Sequence, residues 1–195
     1  LGRGRVSGVE IEDLATGLRR VVACDTVVFS GDWIPDHELA RSAGITLDRG
    51  TLGPLVDSLG RTDRPGIFAA GNLVHPVDTA DVAALSGAHV ARAVERHIAG
   101  LPDPDGPVVR LVADEPFRWV APGLHRPGSP GPARGRLETW VREFVRFPRI
   151  TVTQDGRVLT RRVLPWPASP GRVFRVPWSV LDRVNPQGGP VHLSL

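Results

Sequence analysis

Among its 195 residues the sequence contains no methionine, no lysine and no tyrosine, and it has a single cysteine. One cysteine excludes a disulfide framework and any zinc or redox motif built from paired cysteines within these residues. The neighbours of Cys24 are strand-forming, so we expect a buried, unreactive thiol. Because a chain without methionine cannot begin at its own initiator, we expect Leu1 to lie inside a longer gene product.

Long apolar runs are also absent. No run approaches the roughly 20 residues that cross a bilayer, and no secretory signal opens the sequence. A hydrophobic share of 41% and a charged share of 23% are typical of a folded protein, and we expect a cytoplasmic location without membrane attachment. All 24 basic residues are arginine, but the net charge is only +3 and the arginines are spread along the chain. A nucleic-acid partner is therefore not expected.

The opening segment predicts a β-hairpin. Two β-rich runs flank the loop "DLATG", where Gly17 can adopt a positive φ, which gives a hairpin from about Arg5 to Ala23. The apolar run from Asp25 to Phe29 predicts a buried strand. "HELARSAGI" then predicts a short helix that ends at Gly44.

A second strand and a long helix follow. The stretch "GIFAAG", Gly66 to Gly71, predicts a short central strand that is buried on both faces. "DTADVAALSGAHVARAVERHIAG" predicts a helix that starts at Asp78 or Thr79 and ends at Gly100. Its first half is small and apolar on nearly all sides, whereas charged residues make the second half amphipathic. We therefore expect the amino end to be buried and the carboxyl end to lie at the surface.

The composition changes beyond residue 100. "GLPDPDGP" is rich in Pro, Gly and Asp and predicts a linker at 101–107. The residues after it are β-branched, Trp- and Arg-rich and broken by prolines, and they predict about six or seven strands, including a hairpin around "QDG". Residues 1–100 and 108–195 are thus predicted to be an α/β segment and a small all-β, sandwich-like domain. The whole chain is then α+β.

One ordered series of residues resembles a known family. The stretch "DTVVFSGDWIPDHELARSAGITLDRGTLGPLVDSLGRTDRPGIFAAGN", with the helix after it, is similar to the closing segment of the flavoprotein oxidoreductases with two dinucleotide-binding domains. That family includes thioredoxin reductase, NADH oxidases and ferredoxin reductases. Gly31 and Pro35 match its G-x-x-x-P loop. Thr62 and the run from Gly66 to Gly71 match its T-x-x-x-G-I-F-A-A-G-D signature, with Asn72 in place of the final Asp.

The resemblance implies that Leu1 to Gly100 is the carboxyl-terminal part of the FAD- and NAD(P)-binding domains. In the family, the side chain at the position of Asn72 contacts the ribityl chain of FAD, and the start of the next helix faces the pyrimidine edge of the flavin. Gly71 lies at the end of the predicted strand, where ligands bind in open α/β sheets. Asp81 would oppose a reduced flavin, so we expect its side chain to point outward. The residues expected to contact FAD are Gly71, Asn72, Thr79, Ala80, Asp81 and Val82.

Histidine and tryptophan residues carry weaker signals. His75 follows Asn72 in a loop, and an exposed loop histidine is favoured over a catalytic proton donor. The other five histidines have no metal-ligand spacing, so no metal site is predicted. Trp33, with Asp32, could touch nicotinamide or substrate, but we interpret it first as packing between domains. Four further tryptophans are interpreted as core or strand-face residues rather than a sugar-binding platform, with stacking by nearby arginines left open. They are Trp119, Trp140, Trp166 and Trp178.

We therefore expect the chain to be part of an FAD-dependent oxidoreductase that transfers hydride or electrons between NAD(P)H, or a small substrate, and FAD. Its partners would be a small-molecule substrate or an electron-transfer protein. The fragment by itself is expected to be inactive, and no catalytic residue is assigned. The alternative is a non-catalytic β-sandwich module, attached to a degenerate nucleotide-binding remnant, that binds protein or carbohydrate. Subunit assembly through the β domain, which would give a homodimer, also stays open.

Overall fold

The computed structural model describes residues 1–29, 34–102 and 106–195. The chain divides into two compact units, residues 1–32 and 33–195. Its class is α+β, as the sequence predicted, with 16% of the residues in helices and 29% in strands. Gly31, Asp32 and Trp33 lie outside the described residues, as does part of the predicted linker, so the domain boundary at 101–107 stays a prediction. No helix in the described ranges is long and apolar enough to cross a membrane.

The first unit is the predicted hairpin. Strands β1, Gly8–Glu12, and β2, Arg19–Ala23, pair in antiparallel register. Gly17 has a φ of +69°, a conformation that favours glycine, which confirms the turn. The carboxylate of Asp13 accepts hydrogen bonds from two backbone N–H groups of the loop, those of Ala15 and Thr16. The loop is therefore held by local bonds alone.

Two expectations for the residues after the hairpin are wrong. Asp25 to Phe29 form no strand, and the Phe29 side chain is 94% exposed. An apolar run becomes a buried strand only when neighbouring strands cover it, and no strand in the described part of the chain pairs with this run. Cys24 is half-buried with a free thiol, so the expected burial of that thiol is also wrong.

The segment between the hairpin and the long helix is mostly irregular. Helix α1, Glu38–Ser42, ends as predicted before Gly44, which has a φ of +68°. The prediction of a central strand over "GIFAAG" is wrong, because Phe68 forms only an isolated antiparallel bridge with Arg61. A central strand needs a hydrogen-bonded neighbour on each side, and the described residues supply none there.

A buried carboxylate ties this irregular segment to the rest of its unit. Asp57 is 2% exposed, and its Oδ2 accepts hydrogen bonds from Nε of Arg61 at 2.7 Å and from Nε of Arg126 at 2.9 Å. Charge-assisted bonds of this kind offset the cost of burying the carboxylate. These side-chain bonds hold the irregular segment in place, although it forms no β-sheet with its neighbours in the described ranges.

Helix α2, Ala80–Ile98, follows Thr79 as its N-cap, and Gly100 beyond its end has a φ of +65°. Its predicted limits are confirmed. The expectation of a buried amino end is wrong, since Thr79, Ala80 and Asp81 are exposed. The helix buries one stripe of residues along its length instead, as a surface helix does. That stripe consists of Val82, Val90 and Ala93.

Eight strands form two sheets beyond residue 108. They are β3 Val109–Ala113, β4 Phe117–Ala121, β5 Leu124–His125, β6 Arg136–Val141, β7 Arg149–Gln154, β8 Arg157–Val163, β9 Phe174–Pro177 and β10 Val191–Ser194. One sheet has the order β5-β3-β10-β7-β8 and the other β4-β6-β9. Only the β3–β10 pairing is parallel within the described strands. The "QDG" hairpin is confirmed, with positive φ at Asp155 and Gly156.

The two sheets enclose one hydrophobic core. Leu137 and Val141 of β6 and Ile150 and Val152 of β7 are fully buried in it. Alternate residues of the three-stranded sheet point to its other face, where Trp119 packs with Val56, Ala69 and Val74 of the irregular segment. Both faces of this sheet are therefore covered, and the residues on its second face are withdrawn from solvent.

Truncation of Leu137 to alanine should lower the free energy of unfolding by about 2–5 kcal/mol, because it leaves a cavity between the sheets. Leu39→Ala on α1 is the matched control, since that side chain is 87% exposed and should change stability little. Urea denaturation of both variants measures the difference. Equal losses in the two variants would contradict the assigned core.

Candidate functional site

A loop between residues 71 and 79 lies on the second face of the three-stranded sheet. It begins with a 3₁₀ turn, Gly71–Leu73, in which Gly71 has a φ of +62°. The carboxamide of Asn72 closes the loop: its Nδ2 donates to the carbonyl of Asp78 at 3.0 Å, and its Oδ1 accepts from the Asp78 N–H at 2.9 Å. This pair of bonds fixes the direction of the residues inside the loop.

The loop directs His75 against strand β4. The imidazole stacks on the indole of Trp119, with ring centroids 5.6 Å apart and planes inclined by 16°. Trp119 in turn stacks on Trp140 of β6 at 6.2 Å. His75 is 9% exposed, and burial lowers its pKa although the neighbouring Glu138 opposes the shift. The imidazole is therefore neutral at neutral pH.

Glu138 comes from the middle strand of the sheet. Its Oε2 lies 3.3 Å from Nε2 of His75, and its Oε1 accepts a hydrogen bond from Nε of Arg175 at 3.2 Å. Arg175 is the residue opposite Glu138 on strand β9. The cross-strand pairing thus holds one carboxylate oxygen and leaves the other facing the histidine.

Asp78 completes a buried cluster of three titratable side chains. Its Oδ2 lies 3.8 Å from Nδ1 of His75, and its side chain is 3% exposed. Burial first, and then the charge of Glu138 and a hydrogen bond with it, raise the pKa of Asp78 to about 7, against the opposing charges of Arg175 and Arg134. Two carboxyl groups in contact at a buried site cannot both ionise cheaply, so Asp78 keeps a proton, shared with Glu138 in a hydrogen bond, up to about pH 7.

The cluster faces a small cavity of about 70 Å³. One water molecule needs roughly 10–15 Å³ on this scale, so the cavity has room for a few waters or a small ion. Helix α2 contributes Val82 and Ser86 to its wall, and the loop before β6 contributes Arg134. Two polar atoms of the cluster, Nδ1 of His75 and Oδ1 of Asp78, are buried and have no hydrogen-bond partner within the described ranges. Native proteins seldom leave buried polar atoms in this state.

The structure places the residues expected to contact FAD at both ends of the same loop. Gly71 donates its N–H to Oγ of Ser86 at 3.1 Å, which seats the 3₁₀ turn on α2. Thr79, Ala80 and Asp81 lie exposed at the start of α2, and the outward direction of the Asp81 side chain stays a prediction. The hydroxyl of Thr79 lowers the pKa of Asp81 by hydrogen bonding to it. Val82 alone of the helix residues in this set is buried, and it lines the cavity.

The expectation of an exposed His75 is wrong, and the sequence reading missed both of its carboxyl neighbours as functional candidates. The sequence predicts Asp78 only as a possible cap of the helix. Glu138 lies far from His75 along the chain, so nothing in the sequence connects the two residues. In "RLETWV" the alternation of residues places Leu137 and Val141 on the core face of the strand and Glu138 on the opposite face. From the sequence alone, that opposite face is expected to be exposed to solvent. Only Trp140, an aromatic residue on the same face of the strand as Glu138, indicates in the sequence that this second face is covered.

The structure agrees with the expectations for two of the tryptophans. Trp119 is 5% exposed and belongs to a buried cluster, as interpreted from the sequence. The guanidinium of Arg136 lies 5.3 Å from the ring centroid of Trp166, so an arginine does stack on a tryptophan. His125 is buried, with its ring against the edge of Trp178, and burial lowers its pKa.

Comparison of the chain with models of protein families, with curated proteins and with solved structures gave no match. The function must therefore be inferred from the residues themselves.

The shared proton makes stability depend on pH. In the unfolded chain Asp78 loses its proton near the ordinary value of 3.8, whereas in the folded protein its pKa is about 7. Because the folded state binds more protons between these values, the free energy of unfolding should fall as pH rises from about 4 to about 7. Asp78→Asn should remove that part of the decline and raise stability above about pH 7 relative to the unaltered chain.

Urea denaturation across this pH range, with a chelator present, measures the effect. Asp36→Asn is the control, because Asp36 is exposed and the substitution should leave the pH dependence unchanged. A parallel pH dependence in Asp78→Asn and the unaltered chain would refute the shared proton.

Proposed function

We propose that this chain is the carboxyl-terminal part of an FAD-dependent oxidoreductase, which transfers hydride or electrons between NAD(P)H, or a small substrate, and FAD. The observation that carries the proposal is the ordered agreement of Thr62 and Gly66 to Gly71 with the family signature, followed by a long helix that starts at Ala80. The complete protein would act on a small molecule or an electron-transfer protein in the cytoplasm.

The conformation of Gly71 supports the proposal. Its φ of +62° lies in the region that favours glycine, although a Cβ there would meet the Cβ of Ala83 only at an ordinary 3.5 Å. The backbone turn, rather than lack of space, therefore requires glycine. This gives a physical reason for glycine at the position where the family signature has it.

The start of α2 also supports it. The first N–H groups of a helix carry positive partial charge and attract electron-rich atoms. Thr79 forms no side-chain hydrogen bond to the backbone there, at least with the part of the chain described, and the first turn is exposed. The carboxylate of Asp81 interacts with these N–H groups, and a flavin carbonyl would have to replace it.

Asn72 can serve both the loop and a flavin. A carboxamide offers two N–H donors and two acceptor lone pairs on its oxygen, and the bonds to Asp78 use one of each. One donor and one acceptor remain for a ribityl hydroxyl. An aspartate at this position, as in the family, would lose the bond to the Asp78 carbonyl.

The test is the visible absorption spectrum of the protein produced from its complete reading frame, before and after anaerobic addition of NADH or NADPH. We expect a flavin spectrum that bleaches with one of the two nucleotides. Gly71→Ala should weaken FAD binding by about tenfold, since an L side chain at a φ of +62° strains the turn by about 1–2 kcal/mol. Asp81→Asn should strengthen it.

Gly87→Ala is the matched control, because Gly87 lies on α2, away from the 3₁₀ turn of Gly71, and a Cβ there meets nothing within 4 Å. It should leave FAD binding unchanged. A colourless protein that takes up no added FAD would rule out the oxidoreductase.

A second candidate function is a non-catalytic binding module built on the two sheets that enclose the hydrophobic core. The observation in its favour is a cavity of about 350 Å³ whose wall includes Arg134, Arg136, Arg175 and Trp166. Guanidinium and indole groups together suit a ligand with an acidic group and a flat or sugar-like face. A protein without flavin that still binds acidic peptides or acidic oligosaccharides would favour this candidate.

A further inference from the structure

We infer that His75, Asp78 and Glu138 form a binding site for one divalent transition-metal ion. The inference does not rest on the flavin function and concerns groups that the flavin proposal leaves unused. One potential ligand atom from each residue lies within 4.8 Å of the others, and all three residues are buried. The cluster joins the 71–79 loop to the middle of the three-stranded sheet.

The donor set selects the class of metal. One imidazole nitrogen with two carboxylate oxygens suits Zn²⁺, Mn²⁺ or Fe²⁺, whereas Mg²⁺ and Ca²⁺ prefer oxygen ligands alone. Burial favours the neutral form of His75, which is the form that binds a metal. Three protein ligands leave at least one coordination position for water or substrate.

The distances are compatible with a common ion after small side-chain movements. Ligand atoms about 2.1 Å from a tetrahedral metal lie about 3.4 Å apart. The separation of His75 Nε2 and Glu138 Oε2 is 3.3 Å, and that of His75 Nδ1 and Asp78 Oδ2 is 3.8 Å. One nitrogen of the ring and one oxygen of each carboxylate lie within 4.8 Å of one another, so small movements of the side chains bring them to one ion.

The unpartnered atoms point independently to a ligand. Oδ1 of Asp78 is buried on a side chain that is 3% exposed, and it has no hydrogen-bond partner in the described part of the chain. Nδ1 of His75 is in the same condition. A cation coordinated here would satisfy atoms that the protein otherwise leaves unpaired at a cost.

The surroundings hold the three side chains in position, as the outer shell of a metal site does. Arg175 fixes one oxygen of Glu138, Asn72 fixes the backbone of Asp78, and Trp119 supports the ring of His75. These contacts restrict the rotation of each ligand. The cavity of about 70 Å³ provides the space for the ion and its water.

The local charge permits a cation. The two carboxylates, when ionised, outweigh the single guanidinium of Arg175 that is paired with Glu138. Arg134 also lines the cavity but is exposed, so solvent weakens the effect of its charge, and the guanidinium of Arg136 stacks on Trp166. A cation between the two carboxylates would remove the repulsion between them.

Isothermal titration calorimetry of the chelator-treated full chain with ZnCl₂, MnCl₂ and MgCl₂ tests the inference. We expect one saturable Zn²⁺ or Mn²⁺ site per chain and much weaker binding of Mg²⁺. Asp78→Asn and Glu138→Gln should each weaken binding by about 100-fold or more, the upper range for disturbing even an outer-shell group. Asp114→Asn is the matched control, because the exposed pair His192–Asp114, 3.0 Å apart, is the alternative place for a metal.

A measurement on the unaltered chain keeps the test valid if a variant fails to fold. The electron spin-echo spectrum of the Mn²⁺-loaded protein should show coupling to one histidine nitrogen. No binding by the unaltered chain, or a spectrum without histidine coupling, would overturn the inference. So would affinity that survives in Asp78→Asn and is lost in Asp114→Asn.

Discussion

Glu138 lies in the middle of a three-stranded sheet whose two faces are both covered, so its carboxylate cannot be left to water. A buried carboxylate requires nearby donors or cations, and Arg175 on the next strand and His75 on the covering loop supply them. Asp78 then comes so close that it keeps a proton. That one buried charge accounts for the position of His75 on the covering loop, and together with the burial of Asp78 itself it raises the pKa of Asp78.

The same constraint explains the layered order of the larger unit. The apolar face of the three-stranded sheet closes a core with the five-stranded sheet, and this core needs no polar groups. The opposite face carries Glu138 and Trp140, a mixture that neither solvent nor a purely apolar layer would suit. An irregular segment with its own polar side chains covers it better than a regular strand could, because its backbone and side chains can meet individual groups.

Local chemistry accounts for the parts of the fold that the sequence predicted correctly. Gly17, Gly44 and Gly100 end elements because they adopt positive φ, and the Asp155–Gly156 turn closes its hairpin for the same reason. The errors concern residues whose state depends on distant partners. "GIFAAG" forms no strand in the described structure, because no other strand pairs with it. His75 is buried only because it packs against a sheet whose strands lie far along the chain. The alternation of residues along a strand shows on which face of the sheet a side chain lies, but it does not show what covers that face.

The proposed flavin contacts and the buried cluster share one loop. Asn72 lies at the start of the loop, and its carboxamide is hydrogen-bonded to the backbone of Asp78 at the end. The central claim is that Asp78, buried beside Glu138, keeps its proton up to about pH 7. The most direct test is carbon-13 NMR of the side-chain carboxyl groups of the metal-free protein as a function of pH. We expect the Asp78 carboxyl carbon to titrate near pH 7, and a midpoint near its ordinary value of 3.8 would contradict the account.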